Sequence, residues 1–278
     1  MRGFSERDPV ARHAASVQNY LDHVGSIPGW FTLVDILLFR KINELQHAEG
    51  KTGDLLEIGV YRGKSAILLG YLLQGEERLV LCDLFGAPAP TADNESENIR
   101  LYPNLNRELF EHDYRRFHMR LPEILECPSD TLLGERKVAR TFRFVHIDGG
   151  HTYDAVEADI RTTHAILHEW GVVAFDDHIN LHAPGVVAAV WKEIASGRLV
   201  PFCMTERKMY AQLSPPRKEH LASLKEWAHA HPLLEFSTRS LFGHEIAIIT
   251  ERRSAPQPRT LRRLYWGAHA ALFGSRRR

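Results

Sequence analysis

Residues 55–69, LLEIGVYRGKSAILL, decide the fold. The apolar run through Ile58 reads as a buried strand, DLLEIGV over 54–60, and the apolar residues after Lys64 read as a helix to about Leu73. Between them, Gly59 and Gly63 let the backbone turn tightly and bring N–H groups close to a ligand at the helix start. The segment has neither the G-x-G-x-x-G spacing of a dinucleotide loop nor the full G-x-x-x-x-G-K-[ST] phosphate loop. Glu57, two residues before the first of these glycines, repels phosphate and suits a cationic amino-acid group. Asp83 ends the next strand, RLVLCDL over 78–84, where a carboxylate can accept hydrogen bonds from a ribose diol.

Strand and helix patterns alternate outward from this unit. Upstream, Val34, Leu38, Ile42 and Leu45 form one helical stripe, part of an N-terminal helical cap over 1–50. Downstream, EILEC (123–127) and FRFVHID (142–148) read as strands, followed by a helix with Val156, Ile160, Thr163 and Leu167 on one face. The strand GVVAFDD (171–177) comes next, then a helix from Pro184 to Ala195 with Pro in its first turn and Gly197 at its exit. LVPFCMT, KMYAQL and HEIAIIT read as late strands, with a helix around 221–229. The Pro-, Asn- and Asp-rich stretch 86–109 reads as one long functional loop. The expected fold is α/β: a doubly wound, mostly parallel sheet with an antiparallel edge strand and helices on both faces, spanning 51–251.

Composition narrows the function. The 278 residues carry 35 basic and 35 acidic side chains, but eight arginines and no acid lie in 252–278. The body before that basic tail therefore has 27 basic against 35 acidic groups, a poor surface for nucleic acid. Neither a secretory signal nor an apolar run of membrane-spanning length is readable, so a cytoplasmic address is expected. Leu261, Leu264, Ala268 and Leu272 space helically among the tail arginines; a docked terminal helix and weak contact with an anionic membrane surface both fit. Cys82, Cys127 and Cys203 form no CxxC pattern and are expected to be reduced.

Two further stretches carry chemistry. In FVHIDGGHTYDAVEADI (144–160) Asp148 ends an apolar strand, and Gly149-Gly150 turns the chain before His151. In VVAFDDHIN (172–180) Asp176 and Asp177 end another strand, 28 residues after Asp148, which is the length of one strand–helix–strand crossover. Neighbouring parallel strands lie about 4.8 Å apart, so the three carboxylates should converge, and their oxygen-only character favours a hard cation such as Mg²⁺ over zinc. A helix cap or a solvated acidic loop is the simpler reading of either stretch alone. His178 and His182 precede Pro184-Gly185, which disfavours a helical HxxxH metal pair and makes them solvated loop histidines. His146, inside a strand, reads as a hydrogen-bonded core histidine; Trp30 and Phe31 suit either the mouth of a cofactor site or the packing of the cap.

The acid-x-Gly-x-x-x-Gly spacing of Glu57, Gly59 and Gly63, with Asp83 after it, resembles the class I S-adenosylmethionine-dependent methyltransferases, which implies a Rossmann-like fold. DGGHTYD with FDDH, together with IPGWF near the N-terminus, is similar to the metal-dependent sugar O-methyltransferases of the macrocin type and of methylmannose polysaccharide 1-O-methylation. The resemblance implies S-adenosyl-L-methionine held by Glu57, Gly59, Tyr61, Gly63, Ser65 and Asp83, with the adenine near Cys127, Pro128 and Ser129. It implies Mg²⁺ on Asp148, Asp176 and Asp177, His151 as base beside Asp148, and a glycoside or other polyhydroxylated small-molecule acceptor. His178 departs from the macrolide pattern, where an aromatic residue is expected. A homo-oligomer is compatible with this reading, and the alternatives are a non-catalytic methyltransferase-like binding protein or a carboxylate-metal hydrolase.

Overall fold

The computed structural model describes residues 17–102, 105–135 and 141–252. The tail after residue 252, and with it the membrane-contact reading, lies outside the described residues. Nine strands form one sheet: β1 (Asp54–Ile58), β2 (Leu79–Asp83), β3 (Glu123–Glu126), β4 (Phe142–Ile147), β5 (Leu167–Phe175), β6 (Val200–Met204), β7 (Met209–Gln212), β8 (Leu234–Leu241) and β9 (His244–Glu251). Their order is β3-β2-β1-β4-β5-β7-β6-β9-β8. β1 to β5 are mutually parallel, and β7 runs against both β5 and β6. β9 lies parallel to β6, and β8 closes the edge as its antiparallel partner. The mostly parallel sheet with an antiparallel edge is thus present, with one further reversed strand, β7, set inside it.

The central strands are buried on both faces because alternate apolar side chains feed two separate cores. Leu55, Leu81 and Phe144 pack with Leu38, Phe39 and Leu68 from α2 (Leu33–Ala48) and α3 (Lys64–Leu72). Leu56, Val80 and Val145 face the other way, onto Ile160 of α7 (Tyr153–Ile166) and Val190 of α8 (Pro184–Ala195). Thr32 caps α2 by accepting the Asp35 N–H, and Val34, Leu38 and Ile42 are buried, as the stripe requires. A short helix, α1 (17–23), lies before α2.

Four expectations are corrected. Residues 86–109 are not one loop: α4 (Ala92–Leu101) starts at Thr91, whose side chain accepts the Asn94 N–H, and α5 (Arg107–Arg115) starts at Asn106, which accepts the Leu109 N–H. Asn, Asp and Thr density marked helix starts there rather than turns. β5 begins at Leu167, not 171, so Leu167 leaves the helical stripe. β8 escaped a pattern reading because only Leu234 is buried along it; it is a polar edge strand. The fourth, His178, belongs to the site. α6 (Leu132–Glu135) and α9 (Lys218–Ala230) complete the helices of the described residues.

Candidate active site

The C-terminal ends of β1, β2, β4 and β5 open onto one cleft of about 480 Å³, within the size range of small-molecule sites. Gly59 and Gly63 adopt φ of +82° and +80°, where L side chains are strained. A Cβ on Gly59 would stand 2.0 Å from the Asp148 carbonyl oxygen, so glycine lets β1 and β4 exits touch. Tyr61, itself at φ +50°, stacks on Trp30 with centroids 6.1 Å apart, and Tyr102 tilts against it at 5.2 Å. These three rings form an aromatic wall of the cleft. Phe31 instead is buried against Phe39 at 4.9 Å, so only the tryptophan of that pair reaches the cleft.

Asp83 lines the cleft and braces the glycine turn: its Oδ2 accepts the N–H groups of Val60 (2.6 Å) and Tyr61 (3.0 Å), and its Oδ1 accepts that of Phe85 (2.7 Å). Burial pushes its pKa up and those donors pull it down, with a net rise. Cys127, Pro128 and Ser129 form the wall beyond Asp83. Glu57 stands behind the cleft, fully buried: its Oε1 accepts the Ser65 hydroxyl and meets Nδ1 of His146 at 2.6 Å. Nε2 of His146 meets Nζ of Lys208 at 2.8 Å, which confirms His146 as a hydrogen-bonded core residue. Oε2 of Glu57 is buried with no hydrogen-bond partner. Ser65 lines the cleft in front of Glu57, while Gly63 is packed under Phe110.

Asp148, Asp176, Asp177 and His151 line the opposite part of the same cleft. β4 and β5 are parallel neighbours in register, Ile147 against Phe175, as the crossover length between them requires. Lys208, buried, sits 3.3 Å from Asp176 Oδ1; Arg207 lies 2.7 Å from Asp177 Oδ1 and 3.8 Å from Asp176 Oδ1. Burial would raise the Asp176 pKa, but Lys208 and Arg207 outweigh it and hold it at about 2. Asp148 lies well above the carboxylate range, through burial first and Asp176 second. Lys208 stays charged because Asp176, Asp148 and Asp35 outweigh its burial. Among the described residues no three His, Cys, Asp or Glu side chains form an assembled metal cage. The donor set is nevertheless all oxygen, which suits a hard cation.

Residues 56–178 match the family described as a methyltransferase domain. That stretch, somewhat under half of the chain, is thus similar to a methyltransferase domain. The resemblance to class I S-adenosylmethionine-dependent methyltransferases read from Glu57, Gly59, Gly63 and Asp83 is borne out by that match. The chain is similar in fold to the O-methyltransferase NovP, with 18% identity over 65% of this chain and 79% of that one, at a TM-score of 0.55. Weaker likenesses are to CalS11, a TDP-rhamnose 3'-O-methyltransferase of calicheamicin biosynthesis (15% identity, 76% and 98% covered, TM-score 0.45), and to Podospora anserina methyltransferase PaMTH1 (13%, 91% and 98%, 0.40). Comparison with curated protein sequences finds no match.

His151 is held between two acids, its Nδ1 2.6 Å from Glu97 Oε1 and its Nε2 3.4 Å from Asp177 Oδ2. Burial works to lower its pKa, but the Glu97 hydrogen bond and charge, with Asp177, outweigh it and the net shift is upward. His178 is not solvated: it is buried, its Nε2 meets the Thr205 carbonyl at 3.3 Å, and its own carbonyl accepts the Trp191 indole N–H at 3.0 Å. Asp177 at φ +57° reverses the chain and turns His178 inward, while His182 stays exposed. Glu97, Arg207 and Lys208 were not legible as site residues. Glu97 sits in the stretch read as loop, and the Arg207-Lys208 pair opens a strand whose place beside β5 only the sheet order reveals.

Proposed function

We propose that the chain is an S-adenosylmethionine-dependent O-methyltransferase that transfers a methyl group to a hydroxyl of a sugar or other polyhydroxylated small molecule. One observation carries this reading: the glycine turn with Asp83 and the cluster of Asp148, Asp176, Asp177 and His151 line one continuous cleft. Donor and acceptor can therefore be held side by side, and such alignment supplies much of the acceleration of a two-substrate reaction. The aromatic wall of Trp30, Tyr61 and Tyr102 suits the apolar face of a sugar ring.

An alcohol has a pKa near that of water, about 15.7, and is a poor nucleophile toward a sulfonium at neutral pH. Asp148, Asp176 and Asp177 would hold Mg²⁺, with Arg207 leaving Asp177 to admit it. The ion would supply Lewis-acid polarisation of the acceptor hydroxyl. Glu97 fixes the tautomer of His151 with a proton on Nδ1, which leaves Nε2 on the acidic side of the cleft to accept the hydroxyl proton.

The test is a methyl-transfer screen over mannosides, other glycosides and catechols, with and without Mg²⁺, alongside calorimetry with S-adenosylmethionine. Product from a glycoside supports the reading; failure to bind S-adenosylmethionine sinks it in favour of a non-methylating protein, and undiminished turnover without metal removes the ion. His151→Ala should lower turnover at least about a hundredfold while cofactor affinity changes little. Unchanged turnover would exclude it as base.

A further inference from the structure

The cleft contains a cation that the reading above leaves unused. Lys64 opens α3, lines the cleft between Trp30 and Ser65, and donates through Nζ to the Gly29 carbonyl at 2.9 Å. The other cationic side chains lining the cleft have acids: Arg207 has Asp177, Arg161 has Glu157 and His151 has Glu97. Among the described residues, Lys64 has no carboxylate within ion-pair distance, and burial alone pushes its pKa down to about 8. A partly buried ammonium satisfied by one carbonyl keeps two N–H groups and its charge for something else.

Its place along the cleft says for what. Cys127 to Ser129 and Asp83 make the adenine and ribose end in the cofactor reading; Asp83 holds the Val60–Tyr61 turn, and Gly29 and Lys64 lie together against Tyr61. The far end of S-adenosylmethionine carries an ammonium and a carboxylate. Ser65, in front of Glu57, lines the cleft and offers a hydroxyl to the first; among the described residues no carboxylate stands within ion-pair distance of Lys64. We propose that Lys64 anchors the carboxylate of the cofactor's amino-acid end, an assignment that rests on the cofactor reading. Because Lys64 also clasps Gly29, the anchor couples cofactor binding to the Pro28–Trp30 segment that walls the cleft. Gly29 at φ +122° approaches so closely that a Cβ there would be 3.4 Å from the Tyr61 ring and 3.7 Å from the Lys64 Cβ.

The experiment compares two ligands by calorimetry: S-adenosylhomocysteine, which has the carboxylate, and 5′-methylthioadenosine, which lacks the whole amino-acid end. Lys64→Met and Lys64→Gln should each bind S-adenosylhomocysteine about ten- to a hundredfold more weakly than the unaltered chain, and bind 5′-methylthioadenosine within about twofold of it. Retained 5′-methylthioadenosine binding also shows that the variants fold. Undiminished S-adenosylhomocysteine affinity in either variant, or equal losses for both ligands, overturns the anchor while leaving the cofactor reading intact. If the unaltered chain binds neither ligand, the cofactor reading falls and the anchor with it.

Discussion

The two ends of the sheet each bury a cluster of charge, and they treat it in opposite ways. At the N-terminal ends of the strands, fully buried Arg143 reaches both carboxylate oxygens of Glu77 at 2.7 Å, the Gln46 amide oxygen at 2.8 Å and the Leu72 carbonyl at 3.0 Å. Glu77 in turn accepts the N–H groups of Gly53 and Gln74, both at 3.0 Å. At the C-terminal ends, oxygens of Glu57 and Asp159 are buried without a hydrogen-bond partner, and Asp148 is held against its neighbours' repulsion. A satisfied cluster ties α2, α3 and β4 together, whereas an unsatisfied one stores free energy that a ligand can release. Open α/β sheets bind ligands beyond the carboxyl ends of their strands, and the contrast shows the same division in charge.

The contrast can be broken at either end. The largest effect on stability is expected from Arg143→Met, which leaves Glu77 buried and unpaired: a loss of about 3–5 kcal/mol in urea unfolding, with cofactor affinity of the folded fraction unchanged. A loss under about 1 kcal/mol would deny that this cluster is the structural one.

Next comes Asp159, buried on α7, whose pKa burial raises to about 7. A folded-state pKa above the unfolded value means that the native chain binds the extra proton between about pH 4 and 7, so stability falls as pH rises through that window. Asp159→Asn should match the unaltered chain at pH 4 and exceed it at pH 8 by up to about 4 kcal/mol, read from unfolding midpoints at both pH values. An equal difference at both pH values would refute the burial argument.

Asp148→Asn sharpens the comparison most directly. It removes a repelled carboxylate, so thermal stability should stay within about 1 kcal/mol or rise, while methyl transfer falls at least about a hundredfold. A large loss of stability would make Asp148 a structural residue. The smallest effect belongs to Lys41→Ala, which deletes a surface pair with Glu44 at 3.5 Å and should change stability by no more than about 0.5 kcal/mol.

Legibility in the sequence followed the range of the interaction. Gly59 and Gly63, Asp83, and the acids closing β4 and β5 were readable because each is fixed by a local rule: a positive φ, a strand end, a crossover length. The helices at 92–101 and 107–115 were hidden because the same Thr and Asn residues serve turns and helix caps, and only the hydrogen bonds to Asn94 and Leu109 decide which. Glu97 became a partner of His151 only once α4 formed.

By itself, the sequence determined a doubly wound α/β domain, the glycine turn that follows its first strand, and three acids and a histidine at neighbouring strand ends. These follow from periodicity and from backbone sterics, which act over a few residues. Only the tertiary structure decided that Arg207 and Lys208 face those acids, that Glu57 stands behind the cleft on His146, and that Lys64 is left without an acid. Charges are compensated through space by whichever strand the sheet order sets alongside, and β7 reaches β5 from 34 residues further along the chain, Phe175 pairing with Met209.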